Sequence, residues 1–261
     1  MKVVILCGGQ GTRLRDITEL LPKPMVPIGG APILWHLMKI YAHFGMKDFI
    51  LCLGYKGWKI KEYFLNYKEI HHDFTITLGH DNSIQLHNDV EEAEWKITLA
   101  ETGEESMTGA RLWKVRKYLE GEDKFCFTYG DGVADINLKQ LITFHDSQGK
   151  VGTISGVRPA GRFGELIVDD MIITRFSEKP RNAEGWINGG FMVFDNKTVW
   201  DYLWPEDSLM LEKESLPAMV KDRQLAIYKH EGFWVGMDTP REYDLLNQLW
   251  TKGNAPWKVW G

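Results

Sequence analysis

A glycine-rich segment directly after a short apolar run is the feature of this sequence that most constrains its fold. Residues 3–7 are β-branched or apolar, and residues 8–14 read Gly-Gly-Gln-Gly-Thr-Arg-Leu. A buried parallel strand enters a phosphate-binding loop in this way, because glycines let backbone N–H groups approach an anion without an intervening Cβ. The segment therefore predicts the first strand of an open α/β sheet, followed by a triphosphate-binding loop.

The glycine spacing differs from the two commoner phosphate-binding loops. The dinucleotide fingerprint needs a third glycine where this chain has Leu14, and no Gly-Lys-Ser/Thr triplet ends the loop as in a P-loop. The loop carries Thr12-Arg13 instead, and a guanidinium there can grip phosphate oxygens and stabilise charge on a leaving pyrophosphate. The alternative is a tight turn with a solvent-exposed Arg13.

A second cation, Lys23, lies between Pro22 and Pro24. The prolines favour an extended backbone and suppress a helix, so the lysine is held in position. Alone, a lysine between prolines is typical of a surface turn. With Arg13 upstream, we predict that Arg13 and Lys23 form a cationic clamp and are the catalytic residues.

Strands and helices alternate along the first half of the chain. Apolar runs predict strands, and apolar residues at spacings of three and four predict helices, at residues 3–7 (strand), 32–44 (helix), 49–53 (strand), 57–67 (helix) and 125–129 (strand). This order predicts a Rossmann-like, mostly parallel sheet flanked by helices.

The intervening and later segments extend this domain. Residues 70–105 are polar with short alternating stretches, which predicts a small antiparallel excursion over the carboxyl edge of the sheet. Residues 151–194 contain three more alternating stretches, residues 196–203 are predicted to begin a helical tail, and residues 240–250 form a C-terminal helix. No linker or repeat divides the chain, so we predict one domain over residues 1–261, with residues 240–261 as a C-terminal helix and tail.

Composition narrows the class of partner and the compartment. A formal net charge of -5 gives no general attraction to nucleic acid, so we expect none as a partner. Cys7, Cys52 and Cys126 lie in or at the end of apolar runs without Cys-x-x-Cys spacing, which predicts reduced core thiols and a cytoplasmic location. The N-terminal apolar run is too short for a signal peptide or a membrane span.

The sequence resembles the sugar-1-phosphate nucleotidyltransferase family over nearly its whole length, and most closely the branch that transfers the cytidylyl group of CTP to glucose 1-phosphate. The matching segments are residues 8–14 with Lys23-Pro24, then 33–36, 54–57, 102–103, 106–109, 128–135 and 255–258. Where the wider family usually carries Gly-Thr-Ala, residues 106–111 are Ser-Met-Thr-Gly-Ala-Arg. This departure implies cytosine rather than uracil, thymine or guanine.

The resemblance implies a nucleotide site at the carboxyl edge of the sheet. Arg13 would stabilise the pyrophosphate and Lys23 the α-phosphate of CTP, while the loop backbone would hold ribose, base and phosphates. The predicted nucleotide-binding residues are Leu6, Cys7, Gly8, Gly9, Gln10, Gly11, Thr12, Arg13, Lys23, Ser106, Arg111 and Gly130.

A magnesium site is expected, since nucleotidyl transfer depends on neutralising phosphate charge. Asp131 follows the predicted strand 125–129, at the sheet edge where open α/β folds bind ligands. Mg²⁺ typically takes only one or two protein carboxylates. The resemblance makes Asp238 the second ligand, and the alternative is an Asp near a helix N-terminus. We interpret Asp135 as loop structure next to the predicted helix cap Asn137.

The sequence indicates the site for the sugar phosphate, which accepts the nucleotidyl group, less clearly than it indicates the nucleotide site. The resemblance implies Lys179 on the sugar phosphate, with Glu178 and Asn188 on sugar hydroxyls. Taken alone, Glu178-Lys179-Pro180 is also typical of an exposed turn, and Asn188-Gly189-Gly190 of a hairpin loop.

The C-terminal tail and the histidines carry two further predictions. Trp250, Trp257 and Trp260 have little local sequence to bury them, which predicts burial against another subunit in a homo-oligomer. The histidines lack zinc-ligand spacing, so no zinc is expected.

Three other functions stay open at this point. They are a cytidylyltransferase for another hexose 1-phosphate or a non-sugar phosphate, a non-catalytic nucleotide-sugar sensor, and a glycosyltransferase.

Overall fold

A computed structural model describes residues 1–9, 19–79, 83–88, 91–158, 165–169, 172–177 and 185–261, the backbone alone for 165–169 and 172–177. Its strands are β1 (Val3–Leu6), β2 (Pro27–Ile28), β3 (Ala31–Pro32), β4 (Asp48–Leu53), β5 (Phe74–Thr77), β6 (Ser83–Leu86), β7 (Lys96–Glu101), β8 (Lys124–Tyr129), β9 (Gly132–Ala134), β10 (Gly152–Val157), β11 (Glu165–Asp169), β12 (Ile172–Ser177), β13 (Ile187–Asp195), β14 (Leu225–His230) and β15 (Trp234–Gly236).

The α-helices are α1 (Ile33–His43), α2 (Gly57–Leu65), α3 (Tyr67–His71), α4 (Thr108–Lys114), α5 (Leu138–Gln148), α6 (Leu216–Lys221) and α7 (Pro240–Thr251). Short 3₁₀ turns lie at Lys23–Met25, Arg116–Leu119 and Val199–Tyr202, and a π-helical turn at Leu211–Ser215 precedes α6.

A seven-stranded sheet in the order β14-β10-β13-β8-β1-β4-β7 forms the centre of the molecule. β1 pairs in parallel with β4 and β8, β4 with β7, and β10 with β14, whereas β13 is antiparallel to both of its neighbours. The predicted mostly parallel sheet is confirmed.

Both faces of the sheet are covered, and β1 shows why its sequence is apolar throughout. Val3 and Ile5 enter the core on the side of α1, while Val4 and Leu6 enter the core on the side of α4. A strand buried on both faces has no polar alternation, which is the pattern that predicted it. The predicted elements at residues 32–44, 49–53, 125–129 and 240–250 are confirmed as α1, β4, β8 and α7.

Two predictions about the sheet edges are wrong. The stretch within residues 70–105 that contains β7 is not part of an antiparallel excursion, because β7 pairs in parallel with β4. The chain after residue 196 has helical segments at Val199–Tyr202, Leu216–Lys221 and Pro240–Thr251, but it is not a helical tail throughout, since β14 returns to the sheet beside β10. Both are edge strands with partly exposed side chains, so their polarity resembles that of a separate hairpin or a surface helix. The hairpin β5–β6 is the antiparallel excursion that was expected.

The C-terminal tail packs against its own chain. Trp257 is completely buried within this one subunit, and its ring stacks on Phe233. The prediction that the tail needs another subunit to bury Trp257 is therefore wrong. Local sequence could not show this, because Trp257 contacts not only Trp250 on α7 but also His36 on α1 and Phe233 before β15. In the part of the chain that the structure covers, no helix is both long and apolar enough to cross a membrane.

Candidate active site

A cleft of about 420 Å³ opens at the carboxyl ends of β1 and β8. The parallel pairing of these strands brings their following loops to one edge of the sheet. The cleft is lined by Leu6, Gly8, Gly9, Lys23, Pro24, Glu104, Glu105, Ser106, Met107, Thr108, Arg111, Tyr129, Gly130 and Asp131.

Most of the predicted nucleotide-binding residues within the described ranges line this cleft. Leu6, Gly8 and Gly9 form one wall, and the Gly130 N–H donates to the Leu6 carbonyl at 2.9 Å. Cys7 differs, because its side chain is buried in the core and its N–H donates to the Cys52 carbonyl at 3.0 Å. Gln10, Gly11, Thr12 and Arg13 lie outside the described residues.

Arg111 lies at the floor of the cleft with its guanidinium buried among protein acceptors. Nη1 donates to the Leu53 carbonyl at 2.9 Å and to Thr102 Oγ1 at 2.8 Å. Nη2 donates to the carbonyls of Glu104 at 3.1 Å and Gly8 at 3.4 Å. Burial lowers the pKa of Arg111 from its ordinary value. Arg111 therefore joins the ends of β1 and β4 to the loop before α4.

Two glycines make room for this guanidinium. A Cβ on Gly8 would lie 2.2 Å from Cζ of Arg111, and a Cβ on Gly54 would lie 2.5 Å from Nη1. Neither distance is sterically possible for an unshifted side chain. The glycine at the start of the loop thus serves packing beneath the cleft as well as backbone access from it.

Three N–H groups at the N-terminus of α4 donate to main-chain carbonyls. Met107 N–H donates to the Asp207 carbonyl at 2.8 Å, and the N–H groups of Gly109 and Ala110 donate to the Leu209 carbonyl at 3.0 and 3.2 Å. Ser106 Oγ is buried, lies 2.6 Å from the Thr102 carbonyl and accepts from Lys114 Nζ at 2.8 Å. These contacts hold the loop that carries Ser106 against the cleft.

Lys23, Asp131 and Asp238 meet at the other side of the cleft. Lys23 Nζ lies 2.6 Å from Asp131 Oδ2 and 2.8 Å from Asp238 Oδ1. Burial acts to lower the pKa of Lys23, but the attraction of Asp131 and hydrogen bonds to both carboxylates outweigh it, so the pKa is raised. The three residues predicted to act on metal and phosphate are thus in one cluster.

Strand pairing explains how residues so distant in sequence converge. Asp131 lies between β8 and β9, and β9 pairs with β15, which ends two residues before Asp238. Met237 N–H donates to the Asp131 carbonyl at 2.9 Å. Thr239 then begins α7 with a capping box that includes Glu242. Asp238 therefore precedes the helix cap and is not the cap itself.

The two carboxylates suit a divalent cation. Within the described ranges no group of three or more His, Cys, Asp or Glu side chains could hold a metal. However, Asp131 Oδ2 and Asp238 Oδ1 already share one cation, the Lys23 ammonium. Two protein carboxylates completed by phosphate oxygens and water are a typical Mg²⁺ site.

Tyr129 and Glu212 were not singled out from the sequence. The Tyr129 hydroxyl donates to Glu212 Oε1, and Thr108 Oγ1 donates to Glu212 Oε2 at 2.6 Å. Burial and the neighbouring Glu212 raise the pKa of Tyr129. Tyr129 could have been found from its place beside Asp131 at a strand end. Glu212 left no such signal, because it belongs to a π-helical turn that only tertiary contacts bring to the cleft.

Of the predicted acceptor residues, Asn188 is described and lies close to the cleft. Its Oδ1 accepts from the Gly190 N–H at 2.8 Å, and its Nδ2 lies 3.5 Å from the Tyr129 hydroxyl. Glu178 and Lys179 lie outside the described residues.

The fold and cleft together define an α/β protein with a lysine and two carboxylates beside a glycine-rich segment, at the carboxyl edge of a mostly parallel sheet. The sequence profile described as Nucleotidyl transferase matches residues 2–249. This chain belongs to the nucleotidyl transferase family.

Three relatives and one solved structure illustrate the similarity. The chain is 47% identical to the glucose-1-phosphate cytidylyltransferase of Salmonella typhi and 45% identical to the probable glucose-1-phosphate cytidylyltransferase of Bacillus subtilis (strain 168), each over 100% of both chains. It is 30% identical to a mannose-1-phosphate guanyltransferase of Schizosaccharomyces pombe over 93% of this chain and 62% of that one. HddC from Yersinia pseudotuberculosis superposes with a TM-score of 0.66 at 26% identity, covering 95% of this chain and 99% of that chain.

Proposed function

We propose that this enzyme forms CDP-glucose and pyrophosphate from CTP and α-D-glucose 1-phosphate. Full-length identity of 45% and 47% to relatives named for that reaction supports the choice of substrates. The observation that carries the reaction type is the meeting of Lys23 with Asp131 and Asp238 beside Gly8 and Gly9.

The proposed step is an in-line displacement at the α-phosphorus of CTP. An oxygen of the sugar phosphate forms the new bond to phosphorus, while the bond to the bridging oxygen breaks and its electron pair leaves with pyrophosphate. The attacking phosphate is already ionised at neutral pH, so the reaction needs no protein nucleophile. Lys23 stabilises charge on the α-phosphate, and we assign the leaving pyrophosphate to Arg13.

In the nucleotide half of the site, some residues are proposed to contact the nucleotide and others to hold the surrounding loop in place. Leu6, Gly8 and Gly9 line the cleft, and with Gln10, Gly11 and Thr12 they are proposed to hold ribose, base and phosphates. Ser106 and Arg111 act through the loop before α4, because their polar groups contact protein acceptors. Glu178, Lys179 and Asn188 are proposed to bind the sugar phosphate.

Nucleotidyl transferases generally use a divalent metal, and we propose Mg²⁺ held by Asp131 and Asp238. The ion would neutralise and orient the triphosphate. We further propose a cytoplasmic homo-oligomer. The three cysteines are buried and free, which suits a reducing compartment. Exposed Phe74, Ile76 and Ile84 on the β5–β6 hairpin suit a subunit contact, which light scattering would detect.

The test is pyrophosphate release from CTP, UTP, dTTP and GTP, each with glucose 1-phosphate or mannose 1-phosphate and Mg²⁺. We expect CTP with glucose 1-phosphate to be preferred by at least tenfold, with CDP-glucose as product. Asp131→Asn should lose most of this turnover because an amide binds Mg²⁺ more weakly.

The outcomes separate the alternatives. Preference for UTP or dTTP would remove the cytidylyl assignment but keep the reaction class. A faster reaction with mannose 1-phosphate would change the acceptor. No pyrophosphate release above the Asp131→Asn background would favour a sensor, and sugar transfer from CDP-glucose to an acceptor would favour a glycosyltransferase.

A further inference from the structure

Lys23 is the residue whose contacts suggest more than phosphate binding. Its side chain is only 11% exposed, and its ammonium lies between Asp131 Oδ2 and Asp238 Oδ1 at 2.6 and 2.8 Å. The backbone around it is fixed by the 3₁₀ turn Lys23–Met25, in which Val26 N–H donates to the Lys23 carbonyl at 3.1 Å. The fold therefore fixes the backbone of Lys23, and the two carboxylates hold its ammonium in the resting position.

The same two oxygens are the ones that converge for a divalent cation. A Mg²⁺ ion binds carboxylate oxygens at about 2.1 Å. An ion on Asp131 Oδ2 and Asp238 Oδ1 would stand within a few ångström of an ammonium that kept its present contacts, and the two positive charges would repel strongly in this partly buried place. The metal and the ammonium therefore compete for the carboxylate pair.

A triphosphate removes this conflict. Its oxygens offer the ammonium a new anionic partner and offer the metal its remaining ligands. The long lysine side chain can move its terminal nitrogen from the carboxylates to a phosphate while its backbone stays in place.

We propose that Lys23 is an exchangeable counter-cation, which occupies the carboxylate pair until the nucleotide draws it onto a phosphate and the divalent metal replaces it. The proposal rests on the proposed function, since it takes the nucleotide and metal of that same site. It makes metal and nucleotide binding cooperative, because each favours the arrangement in which Lys23 has left the carboxylates.

The proposal predicts that loss of Lys23 raises the affinity of the site for a divalent cation. Removal of a binding-site residue ordinarily weakens ligand binding, whereas removal of Lys23 removes the competitor of the metal. Without nucleotide, a Lys23 variant should therefore bind a divalent cation more tightly than the wild type.

The experiment is a titration of Mn²⁺ followed by electron paramagnetic resonance, with no nucleotide present. We expect Lys23→Met and Lys23→Gln to bind Mn²⁺ at least tenfold more tightly than the wild type. Adding Asp131→Asn to Lys23→Met should abolish the gain. Lys139→Met is the control, because it removes the same charge from an exposed position on α5.

Thermal melting shows which variants are folded, and a gain in specific affinity cannot arise from an unfolded site. Unchanged or weaker Mn²⁺ binding in a folded Lys23 variant would overturn the proposal, as would an equal gain in Lys139→Met. The pyrophosphate assay on the wild type is independent. If the wild type released no pyrophosphate while the Lys23 variants still bound Mn²⁺ more tightly, the proposed substrates would be refuted. The proposed exchange of Lys23 for the metal would stand.

Discussion

At the scale of the residue, a few side chains and glycines decide the shape of the cleft. Arg111 is a predicted nucleotide-binding residue that lines the cleft, and its guanidinium donates to Leu53, Thr102 and Glu104 within the protein. Buried polar groups are stable only when they are hydrogen-bonded, so these contacts of Arg111 hold the surrounding segments together. Gly8 belongs to the same packing arrangement, because any larger residue would occupy the place of the Arg111 guanidinium.

Substitution at Gly8 tests this packing. Gly8→Ala should destabilise the protein by about 1–3 kcal/mol, because the new Cβ overlaps the buried Arg111 guanidinium. The measurement is the free energy of unfolding from urea denaturation. Gly9→Ala is the matched control, since a Cβ at Gly9 would meet no atom of the described residues within 4 Å. Equal stability of the two variants would show that Arg111 adjusts without cost.

At the scale of the element, α4 and the turn before α6 form one unit. The carbonyls of Asp207 and Leu209 accept from the first N–H groups at the start of α4, so these are not left for an anion. The π-helical turn Leu211–Ser215 then presents Glu212 to Thr108 and Tyr129. One carboxylate thereby links the start of α4 to the end of β8.

Loss of the Glu212 carboxylate should lower the stability of the protein and weaken the binding of the sugar phosphate. Glu212→Leu leaves the hydroxyls of Thr108 and Tyr129 without their acceptor, which should cost about 1–3 kcal/mol of unfolding free energy. Because Tyr129 lies near Asn188, the KM for glucose 1-phosphate should also rise. Steady-state kinetics and urea denaturation measure the two effects.

Two further variants sharpen the test of this link. Glu212→Gln should lose less, since its amide can still bond both hydroxyls. Lys213→Leu places the same new residue at an exposed position of the same turn and should be near wild type. A Glu212→Leu enzyme with unchanged stability and KM would contradict the assigned role.

At the scale of the whole molecule, the tail closes one face of the core. His36 on α1 is fully buried, its Nε2 lies 2.8 Å from the Ile28 carbonyl, and Trp257 Nε1 donates to its Nδ1 at 3.4 Å. Trp250 and Trp260 also pack against this ring. Burial lowers the pKa of His36 from 6.5 to about 4, so the imidazole is neutral in the folded protein near neutral pH.

This histidine should make the fold sensitive to acid. Between pH 6.5 and 4 the unfolded chain binds a proton at His36 that the folded chain does not, so its contribution to stability is complete above pH 6.5 and falls as the pH falls. The loss is about 1.4 kcal/mol per pH unit in that window. His36→Gln should flatten the pH dependence by this amount, measured by urea denaturation at several pH values.

A histidine on the surface of the same helix provides the control. His43 is exposed on α1, and His43→Gln should keep the wild-type slope. If His36→Gln and the wild type lost stability in parallel from pH 6.5 to 4, the buried ring would not be the group responsible.

Local chemistry accounts for what could be predicted from the order of residues alone. The apolar run of β1, the periodicity of α1 and the glycines after residue 7 express local preferences, so the strand, the helix and the α/β class followed from them. Likewise Asp131 could be placed at a strand end. Lys23 followed from its flanking prolines with Arg13 upstream, and the resemblance to a family added Asp238. The structure brings both together with Asp131.

The remaining features depend on contacts between distant segments, and these only the tertiary structure could supply. The edge strands β7 and β14 have mixed polarity, so only their pairing with β4 and β10 identifies them. Trp257 packs against His36 and Phe233, which are distant in sequence, as well as against the nearby Trp250. The hydrogen-bond partners of Arg111 and Glu212 likewise depend on the tertiary structure. A polar side chain can face a ligand or a neighbouring carbonyl or hydroxyl, and folding determines which of these groups lies beside it.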